Sequence, residues 1–237
     1  MSCINYAHRG ASEYAPENTL AAFYLGVEMG ADGIETDIQR TKDGVLVLFH
    51  DDVATRTLSK PESISTLTLN ELMEIDFGAY KKIPKYYGER VVTFDDFLKY
   101  FSRKDLQFAL ETKQLGVEED SLALVNRYAI RDRVIFTSFK WESLVAFRKA
   151  DKDIALGYLI DEITDEVLTQ LEELQIRQVC PRIDLLEEKG ISLARSRGFS
   201  VRSWGTKSEA LMHRALALGV DGMTVNFPDL LTKALNT

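Results

Sequence analysis

Gly30-Ala31-Asp32-Gly33-Ile34-Glu35-Thr36-Asp37-Ile38 is the stretch that decides how this chain folds. Gly30 closes a helical pattern in which Leu20, Phe23, Tyr24 and Val27 share one face behind an opening Glu17-Asn18-Thr19. From Gly33 the period changes to two, as a strand requires. The same junction recurs near the far end as Gly219-Val220-Asp221-Gly222-Met223, again between a helix end and a strand start. Junctions of this kind belong to βα units around a parallel sheet.

Outward from that stretch, strand-like runs are expected at Ile4–His8, Gly33–Ile38, Leu106–Thr112, Val134–Ser138, Ile154–Ile160, Gln178–Pro181, Phe199–Trp204 and Val220–Asn226, with helical patterns after them. Eight units in 237 residues predict an α/β fold, a closed (β/α)8 TIM barrel, over an open doubly wound sheet. No Gly-x-Gly-x-x-Gly supports the open alternative. No Gly-, Ser- or Pro-rich linker divides the chain, so one catalytic domain over residues 1–237 is expected.

Two features depart from simple alternation. The turn Thr41-Lys42-Asp43-Gly44 sends Val45–His50 back as an extra antiparallel hairpin strand. A two-residue loop would oppose Asp37 to His50, and a three-residue loop with a bulge at Gly44 would oppose Thr36 to His50. Residues 53–92 then form an inserted loop region at the barrel mouth, with one helical pattern at Leu69–Ile75. Its Phe77, Tyr80, Tyr86 and Tyr87 suit either a pocket lining or a lid packed on itself.

Composition narrows the function. A net charge of −8 disfavours a phosphate-tracking surface, so no nucleic-acid partner is expected. No apolar run approaches the roughly 18 residues of a membrane span, and no basic-then-apolar leader precedes the first strand. The expectation is a cytoplasmic protein without stable membrane insertion. Cys3 and Cys180 lack ligand spacing and read as buried free thiols.

The chemistry-bearing residues gather at strand ends. Glu35 and Asp37 share one strand face, and on a barrel strand that face is the interior. Two enclosed carboxylates repel each other unless a cation or proton lies between them, and a hard divalent cation meets that need. Glu111 and Lys113 repeat the geometry on the next parallel strand. His8 and His50 arrive at the same rim, where barrel enzymes keep their active sites. Arg9 and Lys113 beside a cation suit a phosphoryl group, although Arg9 also has Glu13 and Glu17 within local pairing reach. His213, inside the helical pattern Ser208–Ala217, reads as structural.

His8-Arg9-Gly10, Pro16-Glu17-Asn18-Thr19, Glu35-Thr36-Asp37, His50-Asp51 and Glu111-Thr112-Lys113 together resemble the glycerophosphodiester phosphodiesterase family in order, spacing and position. The resemblance implies a barrel enzyme that converts a small-molecule glycerophosphodiester to sn-glycerol 3-phosphate and an alcohol, using one divalent cation, Ca2+ or Mg2+. It implies Glu35, Asp37 and Glu111 as metal ligands, His8 and His50 as the catalytic acid/base pair, and Arg9 and Lys113 as phosphate contacts. Trp204 resembles the family's aromatic wall, and a barrel-plug role suits it equally. One departure stands out: many members carry Thr-Asp where this chain has Val225-Asn226 before Phe227-Pro228. Two rival readings are a phospholipase acting on intact lipid and a relative that has lost catalysis.

Overall fold

The computed structural model describes residues 3–55 and 62–236. Residues 56–61 of the expected insertion lie outside that description. Nine strands form one sheet: β1 (Ile4–His8), β2 (Gly33–Arg40), β3 (Leu46–Leu48), β4 (Gln107–Thr112), β5 (Val134–Ser138), β6 (Leu156–Ile160), β7 (Gln178–Pro181), β8 (Ser200–Thr206) and β9 (Gly222–Val225). Their order is β1-β9-β8-β7-β6-β5-β4-β2-β3, and a parallel β1–β2 pairing closes the ring. Eight parallel strands therefore make the expected TIM barrel, and β3 hangs outside it, antiparallel to β2.

The hairpin takes the three-residue alternative. Ile38 pairs with Leu48 and Arg40 with Leu46, the register that carries Thr36 towards His50. Gly44 decides it, because at φ 88 it adopts the left-handed backbone that such a loop requires at its last position. Its amide donates to the Thr41 carbonyl at 3.0 Å, and the Thr41 amide donates to Val45 at 2.9 Å.

Helices form where the pattern places them. In α1 (Leu20–Glu28) the Thr19 hydroxyl caps the first turn by accepting from the Ala22 amide. Between α1 and the insertion's short α2 (Leu69–Met73) and α3 (Phe94–Phe101) run β2 and β3. Phe94, Phe97, Leu98 and Phe101 line one side of α3, and Phe97 meets Phe23 of α1 at 4.8 Å and Phe108 of β4 at 5.8 Å. Each such ring removes apolar area worth about 1.5–3 kcal/mol from water, which fastens these helices to the strands that carry the acids. The remaining helices are α4 (Glu118–Arg127), α5 (Trp141–Ala150), α6 (Asp165–Glu173), α7 (Glu188–Ser196), α8 (Glu209–Leu218) and α9 (Pro228–Leu235). His213 is exposed on α8, and both cysteines are free and buried. No helix of the described residues is long and apolar enough to cross a membrane.

The insertion's aromatic residues do not line the cavity: they pack partly in a core of the insertion's own and partly on the turn after β1. Phe77 and Val91 join Val47, Phe49, Ile64 and Leu72 in a small core of their own. Tyr86 packs on Ala15 and Ala22, Tyr80 accepts from the Glu17 amide through its hydroxyl, and Tyr87 faces solvent.

Gly10 fixes the turn that follows β1. At φ 80 it lies so close to α1 that a Cβ would stand 2.4 Å from the Ala22 carbonyl carbon. Gly10→Ala is expected to cost at least about 2 kcal/mol, since overpacking and left-handed strain act together. A urea midpoint unchanged from wild type would contradict this reading.

Candidate active site

Register assembles the site before any side chain is placed. Parallel pairing sets His8 beside Glu35, and β2 pairs with β4 so that Asp37 lies beside Glu111. All point inward at the carboxyl end of the barrel, and one oxygen from each of Glu35, Asp37 and Glu111 falls within 4.8 Å of the others. Their relative exposures are 4%, 0% and 8%, too little water to screen three like charges.

Cations answer part of that repulsion, unevenly. Lys113 donates to Glu111 at 2.6 Å and stands 3.9 Å from Asp37. Arg9, held in the left-handed backbone region at φ 55, places Nε 3.2 Å from Asp37 and donates through Nη1 to Glu17 at 2.9 Å. The local pairing of Arg9 with Glu17 and its place at the cavity thus coexist. Burial alone would raise Asp37, but Arg9, Lys113, His50 and the Asn18 amide together hold its carboxyl well below the usual carboxylate range. Burial raises Glu35 well above that range, and Asp37 and Glu111 add to the effect. Glu111 is raised too, chiefly by burial, with Lys113 opposing.

The histidines approach from either side. His8 shares a 2.6 Å hydrogen bond with Asn226 through Nδ1, and its Nε2 is 3.8 Å from Glu35. With the Asn226 carbonyl oxygen accepting, the proton lies on Nδ1 and the lone pair of Nε2 faces the acids. Burial and the adjacent Arg9 guanidinium push the His8 imidazole down to about 3, so it is neutral at physiological pH. His50 lies just past β3 and bonds through Nδ1 to Asp51 at 2.8 Å. Both imidazoles line one cavity of about 600 Å³ together with Arg9, Glu35, Glu111 and Trp204. Trp204 donates its indole N–H to the Ile160 carbonyl at 2.8 Å and forms part of the cavity wall.

Three positioning residues escaped the sequence reading. Asn18, left-handed at φ 56, donates to Asp37 at 3.0 Å and accepts from the Thr36 hydroxyl at 2.7 Å. Gln39, buried on the inward face of β2, donates to the Phe49 and Asp51 carbonyls at 2.9 and 3.0 Å and so clamps the backbone on both sides of His50. Asn226 orients His8, a role that its reading as a mere departure overlooked. For Gln39 a signal existed, because Glu35, Asp37 and Gln39 continue a single alternating polar row. Arg202, 2% exposed on β8, also reaches this cavity and leaves Nη2 unpartnered.

The sequence model of the glycerophosphoryl diester phosphodiesterase family matches residues 8–230. The chain belongs to this family. A glycerophosphodiester phosphodiesterase of Caldanaerobacter subterraneus subsp. tengcongensis is 31% identical over 236 residues, covering 98% of this chain and 97% of the relative. One from Bacillus subtilis is 31% identical over 252 residues, covering 97% and 85%. Among solved structures, an Oleispira antarctica phosphodiesterase in complex with the product sn-glycerol-3-phosphate superposes with a TM-score of 0.89 at 27% identity, covering 100% of this chain and 98% of that one. Membership makes this chain a glycerophosphodiester phosphodiesterase.

The acids fit a metal ion on the evidence of their own atoms, since Glu35 Oε2 and Asp37 Oδ1 are buried with no hydrogen-bond partner. Glu35→Gln removes one of three crowded charges. In chelator the variant is expected to melt above wild type, and it should lose most of the rise in melting temperature that added Ca2+ or Mg2+ gives wild type. Calorimetry with and without the cation measures both effects, and an equal rise in the two proteins would refute the role of Glu35.

Proposed function

We propose that the enzyme hydrolyses glycerophosphodiesters to sn-glycerol 3-phosphate and an alcohol by acid/base chemistry between His8 and His50. The observation that carries this reading is that two imidazoles, each tied through Nδ1 to a different partner, line the same cavity as a buried acidic triad. Glu35, Asp37 and Glu111 would hold one divalent cation, Ca2+ or Mg2+, which when bound supplies positive charge for a phosphate oxygen and a substrate hydroxyl. Arg9 and Lys113 take the remaining phosphate charge, as a planar fork and a point cation respectively.

His8 acts as the base. It is neutral, and its free nitrogen points towards the acids where the reacting hydroxyl would lie. His50 acts as the acid: the Asp51 carboxylate fixes its ring through Nδ1, and the other ring nitrogen hands a proton to the leaving alkoxide. The nucleophile is either the neighbouring glycerol hydroxyl, giving a cyclic phosphate that water opens, or water itself. Phosphorus NMR of a single turnover distinguishes the two routes by the presence or absence of the cyclic species.

His8→Ala and His50→Ala are each expected to lower kcat by about two to four orders of magnitude, the usual worth of a positioned proton-transfer group. Activity should vanish in chelator and return with Ca2+ or Mg2+. A variant that keeps near-native turnover, or an enzyme indifferent to chelator, would overturn the corresponding assignment.

A further inference from the structure

The cavity has two walls of different character. One, from β1, β2, β4 and the segment after β3, presents His8, Arg9, Glu35, His50 and Glu111, with Asp37 and Lys113 behind them. The other stands across the mouth and comes from β6, β8 and the segment after β5, with Phe139, Leu159, Trp204, Gly205, Thr206 and Lys207. If a glycerol hydroxyl and the phosphate occupy the first wall, as the proposed hydrolysis requires, this second wall is left for the alcohol.

A β-bulge shapes that wall. Ser203 pairs with Met223 but Thr206 with Val225, so β8 carries one extra residue around Trp204-Gly205, and Gly205 takes φ 78. The bulge brings four successive residues, Trp204 to Lys207, to the cavity. Trp204 and Phe139 meet edge to face at 5.0 Å. Both rings already have a cation over them, Arg182 at 6.0 Å from the Trp204 ring and Lys113 at 6.0 Å from the Phe139 ring.

Charge on the second wall has one sign. The carboxylates lining the cavity are Glu17, Glu35 and Glu111, of which Glu17 is paired with Arg9 and the others belong to the triad. Asp161 and Asp184 pair at 3.2 and 2.7 Å with Arg182, the cation over the Trp204 ring, and Lys207 also acts on the Asp184 carboxylate. Lys207 is the exposed charged side chain of this wall, and the buried Arg202 of β8 adds a second positive charge at the cavity. A quaternary ammonium is recognised by aromatic faces or by carboxylates; this wall offers no carboxylate, and each of its two rings already has a cation beside it.

We propose that the wall of Phe139, Trp204 and Lys207 selects glycerophosphodiesters whose alcohol bears an anionic group, such as a terminal phosphate, and disfavours a quaternary ammonium alcohol. The inference rests on the phosphodiester hydrolysis proposed above and names the class of alcohol at that same site. Lys207 acts as the discriminating residue, and the occupied ring faces act as the exclusion.

The experiment compares kcat/KM for three diesters of sn-glycerol 3-phosphate: with choline, with glycerol, and with a glycerol carrying a terminal phosphate monoester. The anionic substrate is expected to exceed the choline substrate at least about fivefold at low salt, the size of one rim charge contact, and the gap should narrow as salt rises. Lys207→Glu should cut the anionic-to-choline ratio by about tenfold or more, and Lys207→Arg should preserve it. A choline diester equal or superior to the anionic one in wild type, or a ratio that Lys207→Glu leaves unmoved, would overturn the selectivity while leaving the hydrolase reading intact. Turnover of none of the three in the presence of metal would remove the hydrolase reading, and the selectivity with it.

Discussion

Three carboxylates confined within 4.8 Å inside a nearly dry barrel mouth are the constraint around which this molecule is arranged. Like charges at that spacing cannot all ionise without nearby positive charge. The protein answers asymmetrically. Asp37 receives Arg9, Lys113 and an amide, Glu111 receives Lys113, and Glu35 keeps an oxygen with no hydrogen-bond partner. The result is a site left short of positive charge on one side, which is a condition for binding a divalent cation rather than for avoiding one. It depends on register to the residue, because a slip of β2 by one position against its neighbours would turn Glu35 and Asp37 towards the helix layer and away from Glu111.

The groups that aim these charges are neutral. Asn18 holds Asp37, Gln39 holds the backbone around His50, and Asn226 holds His8. An amide orients a charged neighbour without adding to the charge imbalance, and each of these three arrives from a different element. The internal echo gains meaning here: positions matching Glu35 and Asp37 are Thr224 and Asn226, which line the same cavity without charge. One copy of the junction supplies carboxylates, and the other supplies the amide that orients His8.

Much of this was legible in the sequence, for reasons that lie in single strands and their spacing. Period-two alternation puts Glu35 and Asp37 inward on any barrel strand, and the eight-unit count puts His8, Glu35 and Glu111 on neighbouring strands at one rim. What could not be read depends on pairing between distant segments or on a local dihedral angle. Both hairpin registers were compatible with the residue pattern until Gly44 was seen in the left-handed region. Asn226 is 218 residues from His8, and no periodicity carries information across that distance. The aromatic residues of the insertion suited a pocket and a separate core equally well, and burial against Val47 and Phe49 settled it for the core in the case of Phe77.

That self-packed insertion has a consequence for where specificity can reside. Its described residues contribute no side chain to the cavity lining, which leaves the opposite wall as the other boundary of the cavity. The catalytic wall is over-determined, since each acid, histidine and cation there is fixed by strand register and by one another. The opposite wall carries no such demand. A bulge at Trp204-Gly205 and the charge at Lys207 alter its shape and potential without touching β1, β2 or β4. Under the proposed selectivity, a barrel divided in this way keeps its chemistry constant on one side while the choice of alcohol is made on the other.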